Sequence, residues 1–163
     1  MFDPIVACMP IKRRDSRKEG VLVMDAPHDV HVVWAAITEP ANLAQWLAPG
    51  EIDLRAGGVV KLDFEPSGSA IDSVISAFDP PWKLEYSWSS AGSRERPLCW
   101  RLEERPEATR IILSLSLLET DDAAKACAGW ATHLEMLAAF LEGVPISFPA
   151  QRFNAYRAHL AAA

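Results

Sequence analysis

The sequence predicts an α+β fold in which a curved antiparallel sheet of about six or seven strands wraps around one long C-terminal helix. Several consecutive segments alternate apolar and polar residues, which indicates strands with one buried face. Short turns separate these segments, and strands joined in this way pair as an antiparallel meander. One long stretch with apolar residues at helical spacing, residues 121–142, follows the last of them.

One strand and two short helices precede the meander. Residues 21–26 (VLVMDA) form a short apolar run and predict the first strand, and Pro27 suits the first turn of a helix. A second short helix is predicted over 41–47, before Pro49. The apolar stripe of the first helix consists of Val30, Val33, Trp34 and Ile37.

The meander begins with a hairpin. Residues 51–55 and 59–65 flank Ala56-Gly57-Gly58, a turn sequence typical of hairpins. Further strands are predicted over residues 70–78, 82–88, 98–104 and 110–119.

The strand over 82–88 places three aromatic rings, those of Trp82, Tyr86 and Trp88, on its buried face. A solid core has no need of a phenol hydroxyl or an indole N–H, because each requires a hydrogen-bond partner once buried. The strand is therefore predicted to be the wall of a pocket, although the alternative is that these rings fill a core.

The long helix begins at Asp121 and Asp122, whose carboxylates suit the positive end of the helix dipole. Gly143 and Pro145 end it. The tail is predicted to form one more small helix. Its apolar stripe either packs on its own domain or makes a homodimer interface, and consists of Phe153, Tyr156 and Leu160.

We divide the chain into a flexible basic leader over 1–19, a domain over 20–145 and a tail over 146–163, and the charge distribution distinguishes the leader from the rest. The first twenty residues hold five of the 16 basic residues and three of the 22 acidic ones. The remaining 11 basic and 19 acidic residues give the rest of the chain a charge of −8. This acidic body argues against a nucleic-acid partner.

Composition excludes several other classes. No apolar run approaches the roughly 20 residues that a membrane span requires, and the N-terminus lacks the apolar region of a secretory signal. The cysteines, Cys8, Cys99 and Cys127, are widely separated, which argues against a disulfide framework or a zinc site. We expect a cytoplasmic protein that needs no cofactor.

Three motifs, in this order along the chain, resemble the START-like superfamily, also called SRPBCC, of helix-grip folds. Residues 27–47 (PHDVHVVWAAITEPANLAQWL) are similar to its first-helix signature. Residues 79–88 (DPPWKLEYSW) resemble its P-P-x-x-L-x-[YF]-x-W block, and residues 128–143 (AGWATHLEMLAAFLEG) resemble its final helix. The branch that they resemble is that of the C-terminal domain of the activator of heat-shock protein 90 ATPase.

The resemblance implies a cavity between the sheet and the C-terminal helix, and it leaves three functions open. The first is binding of a small apolar, lipid-like or aromatic molecule. The second is a protein-interaction module that uses the outer surface, as in the chaperone activator. The third is an enzyme of the cyclase or hydrolase type that uses the same cavity, although no carboxylate stands at an obvious spacing to orient His133.

We place the predicted ligand site among apolar and aromatic side chains, a few of which carry a polar group at their end. His133 lies one turn after Trp130, and we interpret it as a ligand contact and not as a catalytic base. His28 and His31 are interpreted as surface residues, and no metal ligand or catalytic residue is assigned. The predicted lining residues are Trp46, Phe64, Tyr86, Trp88, Trp100, Leu113, Trp130, His133 and Leu137.

Overall fold

The computed structural model describes residues 2–63 and 70–162 of the chain. The strands among these residues are β1 (Ala7–Cys8), β2 (Lys12–Arg14), β3 (Arg17–Ala26), β4 (Gly50–Ile52), β5 (Val59–Asp63), β6 (Ala70–Asp79), β7 (Lys83–Ser87), β8 (Pro97–Arg105) and β9 (Ala108–Leu118). The helices are α1 (Val30–Thr38), α2 (Pro40–Trp46), α3 (Ala123–Leu141) and α4 (Ala150–Ala162).

The strands form one curved antiparallel sheet in the order β1-β3-β9-β8-β7-β6-β5-β4, with β2 also beside β3. The consecutive pairing from β4 to β9 confirms the predicted meander. The last strand of the meander, β9, pairs with the first long strand, β3, from Arg17↔Leu118 to Ala26↔Thr109. The predicted fold class is confirmed, with a larger sheet than expected.

The first nineteen residues differ from the flexible leader that we expected. β1 pairs with β3 through Ala7↔Val23, and β2 pairs with β3 through Arg13↔Lys18. The Arg13 guanidinium also lies 3.0 Å from the Glu119 carboxylate. All three residues of β2 are exposed, so this strand carries no apolar alternation by which the sequence could have revealed it.

Two predicted boundaries shift for local reasons. The helix expected from Pro27 starts at Val30 instead, because Asp29 is the N-cap and its carboxylate accepts a hydrogen bond from the His31 N–H at 2.8 Å. Trp82, expected on the buried face of a strand, lies in the turn before β7 and is 39% exposed. Its N–H donates to the Asp79 carbonyl at 2.7 Å, which closes that turn.

The long helix α3 lies against the inner face of the sheet. Its N-cap is Asp122, whose side chain accepts a hydrogen bond from the Lys125 N–H at 3.1 Å. Gly143, with a positive φ of 79°, follows its C-terminus, as predicted for a helix that ends there. Most of the core lies between this helix and strands β3, β7, β8 and β9.

The helix approaches the sheet most tightly at Gly20 of β3. A Cβ atom added at Gly20 would lie 2.4 Å from the Cys127 Sγ. Cys127, expected at the edge of the apolar face of its helix, is only 1% exposed. The missing side chain at Gly20 therefore lets α3 pack directly on the β3 backbone.

We expect Gly20→Ala to lower the free energy of unfolding by about 1–3 kcal/mol, because the added methyl group overpacks this contact. Adding Cys127→Ala should recover much of that loss, since it removes the Sγ atom that the methyl group would meet. Urea denaturation of both single variants and the double variant measures the coupling. An equal loss with and without Cys127→Ala would contradict the steric explanation.

The tail forms a longer helix than expected, and α4 packs against α3 within the same chain. Tyr156 and Leu160 are 0% and 7% exposed. The Tyr156 hydroxyl donates a hydrogen bond to the Glu135 carboxylate of α3 and accepts one from the Val6 N–H at 3.1 Å. Arg152 of α4 makes two further hydrogen bonds to Glu135, at 3.0 and 2.7 Å.

Candidate ligand-binding cavity

A cavity of about 600 Å³ lies between the sheet and the N-terminal half of α3. This volume falls within the range of pockets that hold small organic molecules. The sheet side is formed by Leu98 of β8 and by Leu115 and Leu117 of β9, and Ile71 of β6 also lines the cavity. The remaining described lining residues are Trp88, Arg96, Pro97, Asp121, Asp122, Lys125, Ala126, Gly129, Trp130, His133, Phe148 and Phe153.

The helix side of the cavity follows one face of α3. Ala126, Gly129, Trp130 and His133 stand at positions i, i+3, i+4 and i+7, so they share that face. A Cβ atom added at Gly129 would meet no described atom within 4 Å. Packing therefore does not require glycine at this position, and the space beside it belongs to the cavity.

Two tryptophan rings stand where the sheet and the helix meet. Trp88 and Trp130 pack edge to face, with ring centroids 4.6 Å apart and an interplanar angle of 70°. Each ring also contacts an aromatic ring of the core, Trp88 with Tyr86 at 6.4 Å and Trp130 with Trp100 at 5.9 Å. We call Trp88 and Trp130 the tryptophan pair.

Aromatic residues from the C-terminal segment form another side of the cavity. Phe148, in the connection between α3 and α4, lies 5.7 Å from Phe153 of α4 and 5.5 Å from the His133 ring, measured between centroids. Phe148 is 44% exposed, whereas Phe153 is half-buried. The cavity therefore includes residues beyond the predicted sheet and helix.

Charged residues at the start of α3 are held by hydrogen bonds within the chain. Arg96 donates to both carboxylate oxygens of Asp121, at 2.8 and 2.9 Å. The Asp121 carboxylate also accepts from the Leu118 N–H at 2.8 Å. The hydrogen bond from Arg96 holds the pKa of Asp121 below its usual value, so the pair stays ionised and fixes the turn between β9 and α3.

His133 contributes a polar ring to the helix side of the cavity. Its Nδ1 lies 3.3 Å from the backbone carbonyl oxygen of Trp46. A carbonyl oxygen can only accept, so the neutral ring carries its hydrogen on Nδ1, and Nε2 is a hydrogen-bond acceptor. Burial lowers the pKa of His133, while the hydrogen bond to Trp46 opposes that shift, and the imidazole is therefore neutral near pH 7.

The structure separates the predicted lining residues into two groups. Trp88, Trp130 and His133 line the cavity. Five others are at most 1% exposed in the core and are absent from the described lining, namely Trp46, Tyr86, Trp100, Leu113 and Leu137. Phe64 lies outside the described residues.

The remaining lining residues were not predicted from the sequence to belong to a site. Alternation did place three of them, Leu98, Leu115 and Leu117, on the buried faces of their strands. It cannot tell which part of a buried face lines a cavity and which part is packed in the core. Gly129 carried another signal, because an interior helical glycine is unfavourable unless something requires it. Phe148 follows no periodic pattern.

Other kinds of site receive no support within the described residues. Residues 2–63 and 70–162 contain no group of three or more His, Cys, Asp or Glu side chains placed to hold a metal ion. His28 Nε2 lies 3.5 Å from a Glu142 carboxylate oxygen, and His31 is exposed. Across the same residues, no helix combines the length and the apolar character needed to cross a membrane.

The curved sheet that grips one long helix, with two short helices after the first long strand, defines a helix-grip protein of the START-like superfamily. The profile of the family described as Activator of Hsp90 ATPase homolog 1-like protein matches residues 27–142. The chain belongs to this family, which confirms the resemblance seen in the three sequence motifs.

Solved structures share the fold over most of the chain. CalU16 from Micromonospora echinospora is 22% identical, with a TM-score of 0.78 over 96% of this chain and 95% of CalU16. The protein EF2215 from Enterococcus faecalis, of unknown function, is 21% identical, with a TM-score of 0.73 over 93% of this chain and 90% of EF2215. At these identities the likeness establishes the fold alone.

DynU16, a protein of the dynemicin biosynthetic locus, is 28% identical, with a TM-score of 0.70. The match covers 81% of this chain and 49% of DynU16, so this chain corresponds to about half of that protein. A comparison with curated proteins finds no match.

Proposed function

We propose that the protein binds a small apolar or aromatic molecule in the cavity between the sheet and α3. The observation that carries this proposal is a space of about 600 Å³ walled by leucine side chains on one side and by aromatic rings on the other. The membership of DynU16 in a biosynthetic locus agrees with such a role.

The chemistry of the walls defines what the cavity would hold. Removing apolar ligand surface from water contributes about 25 cal/mol per Å² to the free energy of binding. For an aromatic ligand, edge-to-face contacts with Trp88 and Trp130 would strengthen binding further. Among the described lining residues, charged side chains come only from the start of α3 and from Arg96, which is already paired with Asp121. A largely uncharged ligand body therefore fits best.

Gly129 supports a functional interpretation of this space. An interior helical glycine is about 1 kcal/mol less favourable than alanine, and no described neighbour would obstruct a side chain there. A sequence under selection for stability alone would gain by replacing it. A requirement for open volume beside α3 explains why glycine stands at this position.

Native mass spectrometry of freshly purified protein tests the proposal. We expect a discrete excess mass, relative to the denatured protein, that disappears on denaturation and gives the size of the occupant. A thermal-shift panel of lipids and polycyclic aromatic compounds tests the empty protein, since a ligand that binds only the folded state stabilises it. The absence of both excess mass and stabilisation would overturn the proposal.

A protein-interaction role is the second candidate, and one surface feature favours it. Val144, Ile146 and Phe148, in the connection between α3 and α4, are 64%, 41% and 44% exposed. Exposed apolar side chains grouped in one segment are typical of interaction surfaces. Stimulation of an Hsp90 ATPase by the protein, and its loss in Ile146→Ser, would favour this candidate over the ligand-binding one.

We do not propose catalysis. The His133 Nδ1 contacts a backbone carbonyl at 3.3 Å, and an imidazole that acts as a general base is usually oriented by a carboxylate at this nitrogen. The carbonyl contact orients the ring and raises its pKa, but burial has the larger effect and lowers the pKa of His133.

A further inference from the structure

Two cysteines that are far apart in the sequence, Cys8 and Cys127, meet the same part of β3. A Cβ atom added at Gly20 would overlap the Cys127 Sγ, so this thiol packs directly on the Gly20 backbone. The pairing of β1 with β3 places Cys8 opposite Leu22. Because Leu22 and Gly20 are two residues apart on one strand, Cys8 is a diagonal neighbour of Gly20.

Both cysteines belong to the inner side of the sheet. Leu22 is buried, and directly opposed residues of an antiparallel pair have their side chains on the same face. Cys8 is accordingly half-buried and packs against the core, while Cys127 of α3 is buried in it. Since Gly20 has no side chain, nothing from that position separates the two thiols.

The ionisation of the two thiols is consistent with this proximity. Burial raises the pKa of the Cys8 thiol to about 12, and the negative charge of a Cys127 thiolate contributes to the shift. Burial also raises the pKa of Cys127, to about 11. Both groups are therefore protonated at neutral pH, and they react slowly with oxidants because the thiolate is the reactive form.

We propose that Cys8 and Cys127 are a modification site, at which sustained exposure to a hydroperoxide forms a reversible disulfide that joins β1 to α3. This inference does not depend on the proposed function of the cavity.

The reaction proceeds in two steps, and Cys8 reacts first because it is the more accessible thiol. Its sulfur attacks one oxygen of hydrogen peroxide, the O–O bond breaks, and the thiol proton leaves with the other oxygen as water, which gives a sulfenic acid. The Cys127 sulfur then attacks the Cys8 sulfur. The S–S bond forms, the S–O bond breaks, and the hydroxyl leaves with the Cys127 proton as a second water. Two thiols are thus oxidised to one disulfide while one peroxide is reduced to two waters.

The disulfide would hold a strand that is otherwise attached weakly. β1 pairs with β3 through two residues, Ala7 and Cys8. A bond from Cys8 to Cys127 closes a loop that contains most of the chain, and this lowers the entropy of the unfolded state. We expect oxidation to raise the unfolding temperature by roughly 5–10 °C.

Peptide mapping of the full-length protein tests the inference. The native protein is treated with hydrogen peroxide and digested with trypsin without reduction. We expect a linked product of the tryptic peptides 1–12 and 126–152, which carry Cys8 and Cys127. Dithiothreitol should separate the two peptides and return the intact protein to its original mass and unfolding temperature. A non-reducing gel should show that the link lies within one chain.

Cys99→Ser is the matched control, because it removes a buried thiol that lies on β8, opposite Glu85. This variant should form the same linked peptides and show the same rise in unfolding temperature as the unmodified protein. Cys8→Ser changes a half-buried residue and should fold, but it should lose both the link and the rise in unfolding temperature.

Three results would overturn the inference. The first is that Cys8 and Cys127 remain free thiols after peroxide treatment, and the second is that the link involves Cys99 or a second chain. The third is that the linked protein unfolds at a lower temperature than the reduced one, which would mean that the bond forms only when the fold opens.

Discussion

Gly129→Phe is expected to weaken the binding of fluorene, a polycyclic aromatic probe, roughly 100-fold, which corresponds to about 2.7 kcal/mol. Gly129 lies on the face of α3 that lines the cavity, between Ala126 and Trp130. A Cβ atom at this position would meet no described atom within 4 Å, so we expect a larger side chain to extend into the cavity. It would then occupy the space beside Trp130 that an aromatic ligand requires.

Gly129→Ala is the control for this substitution. A single methyl group takes little of a cavity of about 600 Å³, so the affinity for fluorene should change little. The helix should become more stable by about 0.5–1 kcal/mol, because alanine has less backbone freedom to lose on folding. Calorimetric titration and urea denaturation of both variants give the two quantities. Unaltered binding by a folded Gly129→Phe would place the ligand elsewhere.

Sequence periodicity predicted the long elements well. The strand expected over 98–104 is β8 (Pro97–Arg105), and the one expected over 110–119 is β9 (Ala108–Leu118). The helix expected over 121–142 is α3 (Ala123–Leu141). Each of these elements buries one face along most of its length, so its pattern repeats several times and identifies the element.

The short strands β1 and β2 could not be predicted in the same way. They exist because they pair with β3, a partner that the local sequence does not specify. Charged residues such as Arg13 and Arg14 are also common in loops and leaders. Whether a short segment pairs in this way depends on its position beside β3 in the folded chain, and composition does not reveal that position.

The site was predicted in part, for a reason visible on β8. Leu98 and Trp100 have the same parity, yet Leu98 lines the cavity while Trp100 is core. The difference depends on how closely α3 approaches the sheet at each point, and Gly20 and Cys127 mark one point of close approach. Alternation predicts the buried face but not the distance to the element that covers it.

A cluster around Glu135 joins three parts of the chain that are distant in sequence. Glu135 of α3 is 7% exposed and accepts two hydrogen bonds from Arg152 and one from the Tyr156 hydroxyl. Arg152 also donates to the Asp3 carbonyl at 2.9 Å, and the Val6 N–H donates to the Tyr156 oxygen. One carboxylate therefore orients the groups that hold both α4 and the N-terminal segment against α3.

Glu135→Ala is expected to lower the free energy of unfolding by about 2–4 kcal/mol, because it leaves a buried hydroxyl and a partly buried guanidinium without their shared acceptor. The side chain of Arg152 is 31% exposed, so water recovers part of the loss. The exposed pair of Arg13 and Glu119 provides the comparison, and Glu119→Ala should have little effect.

Equilibrium urea denaturation of Glu135→Ala, Tyr156→Phe and the double variant measures how far these groups act together. The losses should fall clearly short of additivity, because removing Glu135 already takes away the acceptor of the Tyr156 hydroxyl. Hydrogen exchange should also show faster exchange of the Val6 amide in Glu135→Ala, since the tyrosine oxygen that accepts from it is no longer fixed. Additive losses with an unchanged Val6 amide would mean that the N-terminal segment is held independently of Glu135, by the pairing of β1 with β3 alone.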